Sequence, residues 1–192
     1  MKCHLENNMK LNIGSHNKKM EGYINVDGLD LENVDVVHDY NNYPSPFEDD
    51  TVDEIYTCEF LEHLSFRKTF PFLRDCYRIL KKGGEIKIQV PDIGMMCKYY
   101  VNGQICDCVP RKAEKMSEYK AQKGCKKCQG RALIHHERWK FALAGAQKHE
   151  YDAHLNHFTE GELLLNLRTA GFRDMKTYNN LYKLIIHAKK PL

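Results

Sequence analysis

The stretch that most constrains the fold is Lys10–Asp27, KLNIGSHNKKMEGYINVD. Leu11 and Ile13 alternate with polar residues and run into Gly14, the pattern of a buried strand ending in a turn. Tyr23–Val26 repeats that pattern and ends on an acid, Asp27. A strand, a glycine turn and a second strand closed by a carboxylate is how the first half of a doubly wound nucleotide-binding sheet begins. Glycine lets the backbone come close to a ligand, and the carboxylate can accept hydrogen bonds from ribose hydroxyls. Only Ser15–Gly22 joins the two strands, too few residues for an ordinary parallel crossover. A single helical turn fits there; a full helix does not.

The strands that follow keep the same order. Val34–Val37 is expected to be a third strand, followed by the acid Asp39, and Asn41–Asp50 a loop with two prolines. Val52–Phe60 reads as a fourth strand running into Leu61-Glu62-His63-Leu64. Ser65 can cap a helix through Phe66, Phe70, Leu73, Tyr77 and Leu80. Pro71 argues for a start at Thr69 or a kink, and Lys81–Gly84 for the end. Glu85–Val90 is a fifth strand closed by Pro91-Asp92. Near the end, Thr159 and Glu162 form a capping box for a helix through Leu163, Leu167 and Ala170, which Gly171 stops. Strands around Phe172–Tyr178 and Tyr182–Ala188 follow, with Asn179-Asn180 as the turn. Parallel strands place Gly14, Asp27, Asp39, Glu59 and Asp92 along one carboxyl edge, where open α/β sheets bind ligands.

Charge divides the chain. Residues 1–97 hold 11 Lys/Arg against 17 Asp/Glu, a net of −6, whereas residues 98–148 hold 12 against 4, a net of +8. A basic insertion at 98–148 in one 192-residue domain is expected, either as a solvated surface or as an attractor for an anionic partner. Within it, Ile134–Ala146 is expected to be helical and Lys112–Lys127 has no consistent period. The insertion also carries Cys106, Cys108, Cys125 and Cys128, two close pairs whose thiolates can hold one structural zinc. Unligated cysteines on a lid are the alternative. Cys58 and Cys76 sit in apolar patterns and read as plain core residues. No apolar run is long enough to span a bilayer, and the first ten residues lack a signal-peptide core, so a cytoplasmic protein with no membrane partner is expected.

In this order the segments LNIGS…GYINVD, VHDYNNYPSPFEDDTVDEIYTCEFLEHL, LRDCYRILKKGGEIKIQVPD and HFTEGELLLNLRTAGF resemble the class I S-adenosylmethionine-dependent methyltransferases. GAQKHEYDAHLNHFT is similar to a small bacterial subgroup of predicted methyltransferases. The resemblance covers nearly all of the chain outside residues 103–131. It implies a Rossmann-like, mostly parallel seven-stranded sheet with an antiparallel terminal hairpin, and S-adenosylmethionine as cofactor. Gly14, with Ser15 and His16, would then flank the methionine part, Asp27 the ribose, Asp39 the adenine amine with Tyr40 on the ring, and Glu59 the sulfonium side. The family's Gly-x-Gly-x-Gly loop is reduced here to Gly14, and the crossover helix is nearly absent.

The resulting expectation is methyl transfer to an oxygen or nitrogen of an acceptor, anionic if the basic insertion steers it. His63 is the expected proton acceptor and His154 its alternative, because histidine titrates near neutral pH. The rival reading is a non-catalytic Rossmann-like module that binds nucleic acid or another anionic partner through the insertion. Few aromatics accompany the basic residues, which weighs against nucleic acid. A nicotinamide-dependent oxidoreductase fits poorly, since Gly14–Asp27 is too short for that fingerprint.

Overall fold

The structure is a computed structural model and describes residues 8–102, 143–148, 152–180 and 183–192. Seven strands form one sheet: β1 (Lys10–Ile13), β2 (Ile24–Asp27), β3 (Val36–Val37), β4 (Val52–Cys58), β5 (Leu80–Pro91), β6 (Arg173–Asn180) and β7 (Lys183–Lys189). Their spatial order is β3-β2-β1-β4-β5-β7-β6. The first five run parallel, and β7 is antiparallel to both β5 and β6. This is the expected Rossmann-like architecture, with the chain reversing direction across the sheet between β1 and β4. Ligand sites in such sheets lie at the carboxyl ends beside that reversal.

Register sorts the sheet into two unlike faces. Leu11 pairs Ile55, which pairs Ile86, and Ile88 pairs Ile186; all are buried on one face. Helices α1 (Phe66–Ile79) and α3 (Glu160–Ala170) cover that face with Phe72, Leu73, Ile79, Leu163 and Leu167. Burying a large apolar side chain contributes roughly 1.5–3 kcal/mol, so this layer is the main source of stability. The opposite face carries Lys10, Glu54, Lys87, Glu85 and His187 as a ladder of ion pairs, with Lys87 Nζ 2.8 Å from Glu54 and Lys10 Nζ 3.6 Å from it.

Between β1 and β2 the described chain makes turns and no helix. A buried polar cluster takes over the helix's task. Asn12 and Asn25 are register partners on one face, and Asn12 Nδ2 donates to Asn25 Oδ1 at 2.9 Å. Asn25 Oδ1 also accepts from Met20 N, and Asn12 Nδ2 reaches Lys18 O, which ties the connecting loop down on the sheet. Asp35 completes the cluster by accepting from Asn25 N and Nδ2 at 2.8 and 3.0 Å.

Several boundaries differ from the sequence reading. β3 is only Val36–Val37, because Asp35 turns back to serve Asn25. β4 stops at Cys58, since Glu59 takes a left-handed φ of 54°. Helix α1 starts at Phe66, capped by Ser65 Oγ, and runs through Pro71 without a later start. It ends at Ile79, and Lys81–Gly84 opens β5 instead of closing the helix. Gly83 N donates to Lys190 O and Lys190 N to Gly84 O, so the glycine pair is held by the residue just past β7. Asn179 and Asn180 are paired strand residues opposite Leu184 and Lys183. Thr159 Oγ accepts from Glu162 N, as the capping box requires, and Gly171 (φ 117°) ends α3. Asp92, expected on the ligand edge, accepts from Met95 N and caps α2 (Ile93–Asn102). The zinc candidates Cys106, Cys108, Cys125 and Cys128, and most of the Ile134–Ala146 helix, lie outside the described residues.

Candidate functional site

At the carboxyl edge of the parallel strands lies a cleft of about 1060 Å³. Every described site candidate from the sequence lines it: Gly14, Ser15, His16, Asp27, Asp39, Tyr40, Glu59, His63 and His154. Its floor is the turn after β1. Gly14 has φ 73°, and a Cβ there would stand 2.5 Å from the Phe60 ring, so both the backbone and its neighbour demand glycine. Gly14 N and Ser15 N both donate to Val26 O, which locks the turn against β2.

His16 follows two residues after Gly14 in the same turn. It adopts φ 45°, a left-handed conformation that glycine takes easily and that histidine visits more often than most residues. Its amide donates to Asp27 Oδ2 at 2.8 Å, and Leu29 N donates to Oδ1 at 3.0 Å. The Asp27 carboxylate is thus aimed by two backbone amides, and each oxygen retains acceptor capacity toward the cleft. Asp39 is oriented in the same way by Asn41 N at 2.9 Å and by the Asn41 side chain. Tyr40 lines the cleft while being almost fully buried. Its ring packs edge-on against His38, Phe60 and Phe72 and is 3% exposed, so it belongs mainly to the core. Burial drives its phenol well above the ordinary value. Cys58 is half-buried, accepts from Gln89 Nε2 and lines the cleft, whereas Cys76 is a core residue as expected.

The far wall comes from a short 3-10 turn, Leu61–His63, and from residues 152–156 docked on it. Leu155 N and Asn156 N both donate to Glu62 O, at 2.7 and 3.1 Å, and His63 Nδ1 lies 3.1 Å from Ala153 O. A carbonyl only accepts, so Nδ1 carries the proton and the lone pair is on Nε2. This docking sets the His63 and His154 rings edge to face, 4.9 Å between centroids. Burial, with the His154 charge adding, holds the His63 imidazole below its usual range, so it is neutral near pH 7.

Glu62 and Lys183 were not singled out by the sequence. Glu62 is 1% exposed, and neither carboxylate oxygen has a hydrogen-bond partner among the described residues. Burial, aided by the Glu59 charge, pushes its carboxyl up to about 8. Lys183, the first residue of β7, pairs instead with Glu59 at 3.5 Å. The only sequence signal for Glu62 was its place between Leu61 and His63, where an acid would ordinarily be read as exposed.

Residues 16–88 match the family model described as a methyltransferase domain. No curated protein matches the chain in sequence. Among solved structures, an S-adenosylmethionine-dependent methyltransferase from Archaeoglobus fulgidus is 18% identical with a TM-score of 0.56, over 95% of this chain and 86% of that one. A second, from Methanosarcina mazei, is 16% identical with a TM-score of 0.56, over 96% of this chain and 92% of its own. Residues 16–88 are thus similar in sequence to a methyltransferase domain, and nearly the whole chain shares the fold of solved S-adenosylmethionine-dependent methyltransferases.

Proposed function

We propose that the protein transfers a methyl group from S-adenosylmethionine to an acceptor that enters the cleft on the His63 side. The carrying observation is the Gly14–Asp27 edge, a glycine cradle with no room for a Cβ beside an acid pre-aimed by two amides. The cleft is large enough for a nucleoside with an amino-acid tail. Asp27 would hold the ribose hydroxyls, Asp39 the adenine amine, and Ser15, His16 and Glu59 the methionine end. Bound there, S-adenosylmethionine supplies a methyl group that is already activated.

The chain's own task is then to hold the acceptor in line and dispose of its proton. A neutral His63 with its Nε2 lone pair suits that task, and the His154 ring stands beside it. An oxygen acceptor fits these groups best. An anionic acceptor would also be drawn by the basic residues of 98–148, and its binding would weaken as salt rises.

Calorimetric titration with S-adenosylmethionine and its demethylated product tests the reading. Asp27→Ala removes one or two hydrogen bonds to a charged acceptor group, about 1–3 kcal/mol, and weakens binding by about 5- to 150-fold. An unchanged affinity in that variant would refute the Asp27 role. No heat of binding at millimolar ligand in the wild type would end the proposal.

A further inference from the structure

We propose that Glu62, His63 and His154 form a binding site for one divalent transition-metal cation on the acceptor side of the cleft, an inference that deepens the methyltransferase reading and rests on it for its catalytic meaning. One ligand atom from each of the three lies within 4.8 Å of the other two. Ligands about 2.0–2.2 Å from a shared ion can be up to about 4.2 Å apart, so small side-chain rotations close the set.

Glu62 provides the independent observation. A carboxylate that is 1% exposed and has no hydrogen-bond donor on either oxygen among the described residues is costly unless a cation stands beside it. Its own backbone N–H offers some relief but falls outside hydrogen-bond geometry. The neighbouring ammonium of Lys183 is paired with Glu59. A metal ion bridging Glu62 to two imidazoles satisfies the buried charge with the residues already in place.

His63 is arranged as a ligand's imidazole should be. Its Nδ1–H faces the Ala153 carbonyl, the kind of outer contact that fixes the tautomer and turns Nε2 toward an ion. The His154 segment is held independently, through Leu155 N and Asn156 N on Glu62 O and His154 N on Ala144 O. The site is therefore built by backbone contacts between two segments far apart in the chain, without help from the ion. Two imidazole nitrogens and one carboxylate oxygen suit zinc, manganese or iron(II) better than magnesium or calcium. Three protein ligands leave positions open, and those positions face the cleft where an acceptor would arrive. An acceptor offering a hydroxyl, phenol or carboxylate oxygen fits such an ion. A ligated His63 no longer accepts a proton; the ion instead acidifies the bound hydroxyl, whose proton passes to solvent.

The test uses the full chain, stripped with chelator and titrated with Mn²⁺ while the free ion is followed by paramagnetic resonance. Mn²⁺ takes nitrogen and oxygen ligands and competes poorly for the thiols at 106, 108, 125 and 128. One equivalent is expected to bind the wild type, with affinity reduced at least tenfold in His154→Ala and in Glu62→Gln. His154 lies on a half-exposed loop, so its variant folds even if changes at the buried turn do not; equal melting of the metal-free proteins checks this. Zn²⁺ should raise the melting temperature of the wild type by more than that of His154→Ala.

No Mn²⁺ uptake by the wild type, or equal uptake by His154→Ala, overturns the site and leaves Glu62 packed beside the two imidazoles without an ion. S-adenosylmethionine titrated in excess chelator separates the two proposals. Cofactor binding without metal binding sinks the cation alone; metal binding without cofactor binding sinks the methyltransferase reading and leaves the metal site standing.

Discussion

Gly14 shows how one residue can be demanded twice over. Its φ of 73° disfavours any side chain, and the Phe60 ring fills the space where a Cβ would go. Gly14→Ala is expected to cost about 2–4 kcal/mol, combining backbone strain with overpacking. The combination Gly14→Ala with Phe60→Ala should cost less than the two single changes together, because one clash is removed by either partner. Urea denaturation of the four proteins measures this, and strict additivity would show that Phe60 is not the obstacle. Tyr40 leads to a prediction of the opposite sign. Its hydroxyl is buried with no partner among the described residues, and a buried unpaired hydroxyl costs about 1–3 kcal/mol. Tyr40→Phe should therefore be neutral or stabilising, by up to about 1 kcal/mol. A clear loss of stability would mean the hydroxyl has a partner.

Among the elements, the β1–β2 connection depends most on a few polar contacts. Asn25 is fully buried and serves Asn12, Met20 and Asp35 together. Asn25→Leu keeps the volume but leaves those groups unpaired, and should cost about 2–4 kcal/mol with faster amide exchange at Met20. Asp35 gives the cluster a pH dependence. The Asn25 backbone and side-chain donors hold its carboxyl below the usual range. Its stabilisation is therefore complete above the unfolded value of about 3.9 and is lost as pH falls through the lower folded value. The difference in urea midpoint between wild type and Asp35→Asn should be constant from pH 5 to 7 and shrink below about pH 4. A difference that persists unchanged in acid would exclude this origin. Helix α3 offers a simpler check: Thr159→Ala removes the acceptor for Glu162 N and should cost about 1 kcal/mol.

At the scale of the whole molecule, the sheet has an apolar face under α1 and α3, and the described part of the other face is a charged ladder centred on Glu54. Lys10, Lys87 and the Tyr23 hydroxyl all converge on that carboxylate. Burial alone would raise its carboxyl, but hydrogen bonds from Lys87 and Tyr23 outweigh it, so it stays charged. Much of this arrangement was legible in the residues. Alternating apolar positions marked the strands and helices, and the chain order of those elements pointed to the parallel sheet and its reversed final strand. The order also implied that Gly14, Asp27, Asp39, Glu59 and Asp92 share one edge, because parallel strands must end on the same side. What the pattern could not carry was anything decided by contacts between distant segments. The exact helix start at Ser65, the Gly83–Gly84 pairing with Lys190 and the core position of Tyr40 each depend on packing partners dozens of residues away. The same holds for the far wall of the cleft. Periodicity assigns residues to faces of their own element, so it offered His63 and, as its alternative, His154, without bringing the two together. Only the docking of residues 153–156 on the Glu62 carbonyl brings His154 against His63 and closes Glu62 off from water. Local sequence thus determined the sheet and its carboxyl edge, whereas burial and the pairing of two remote loops decided what stands opposite.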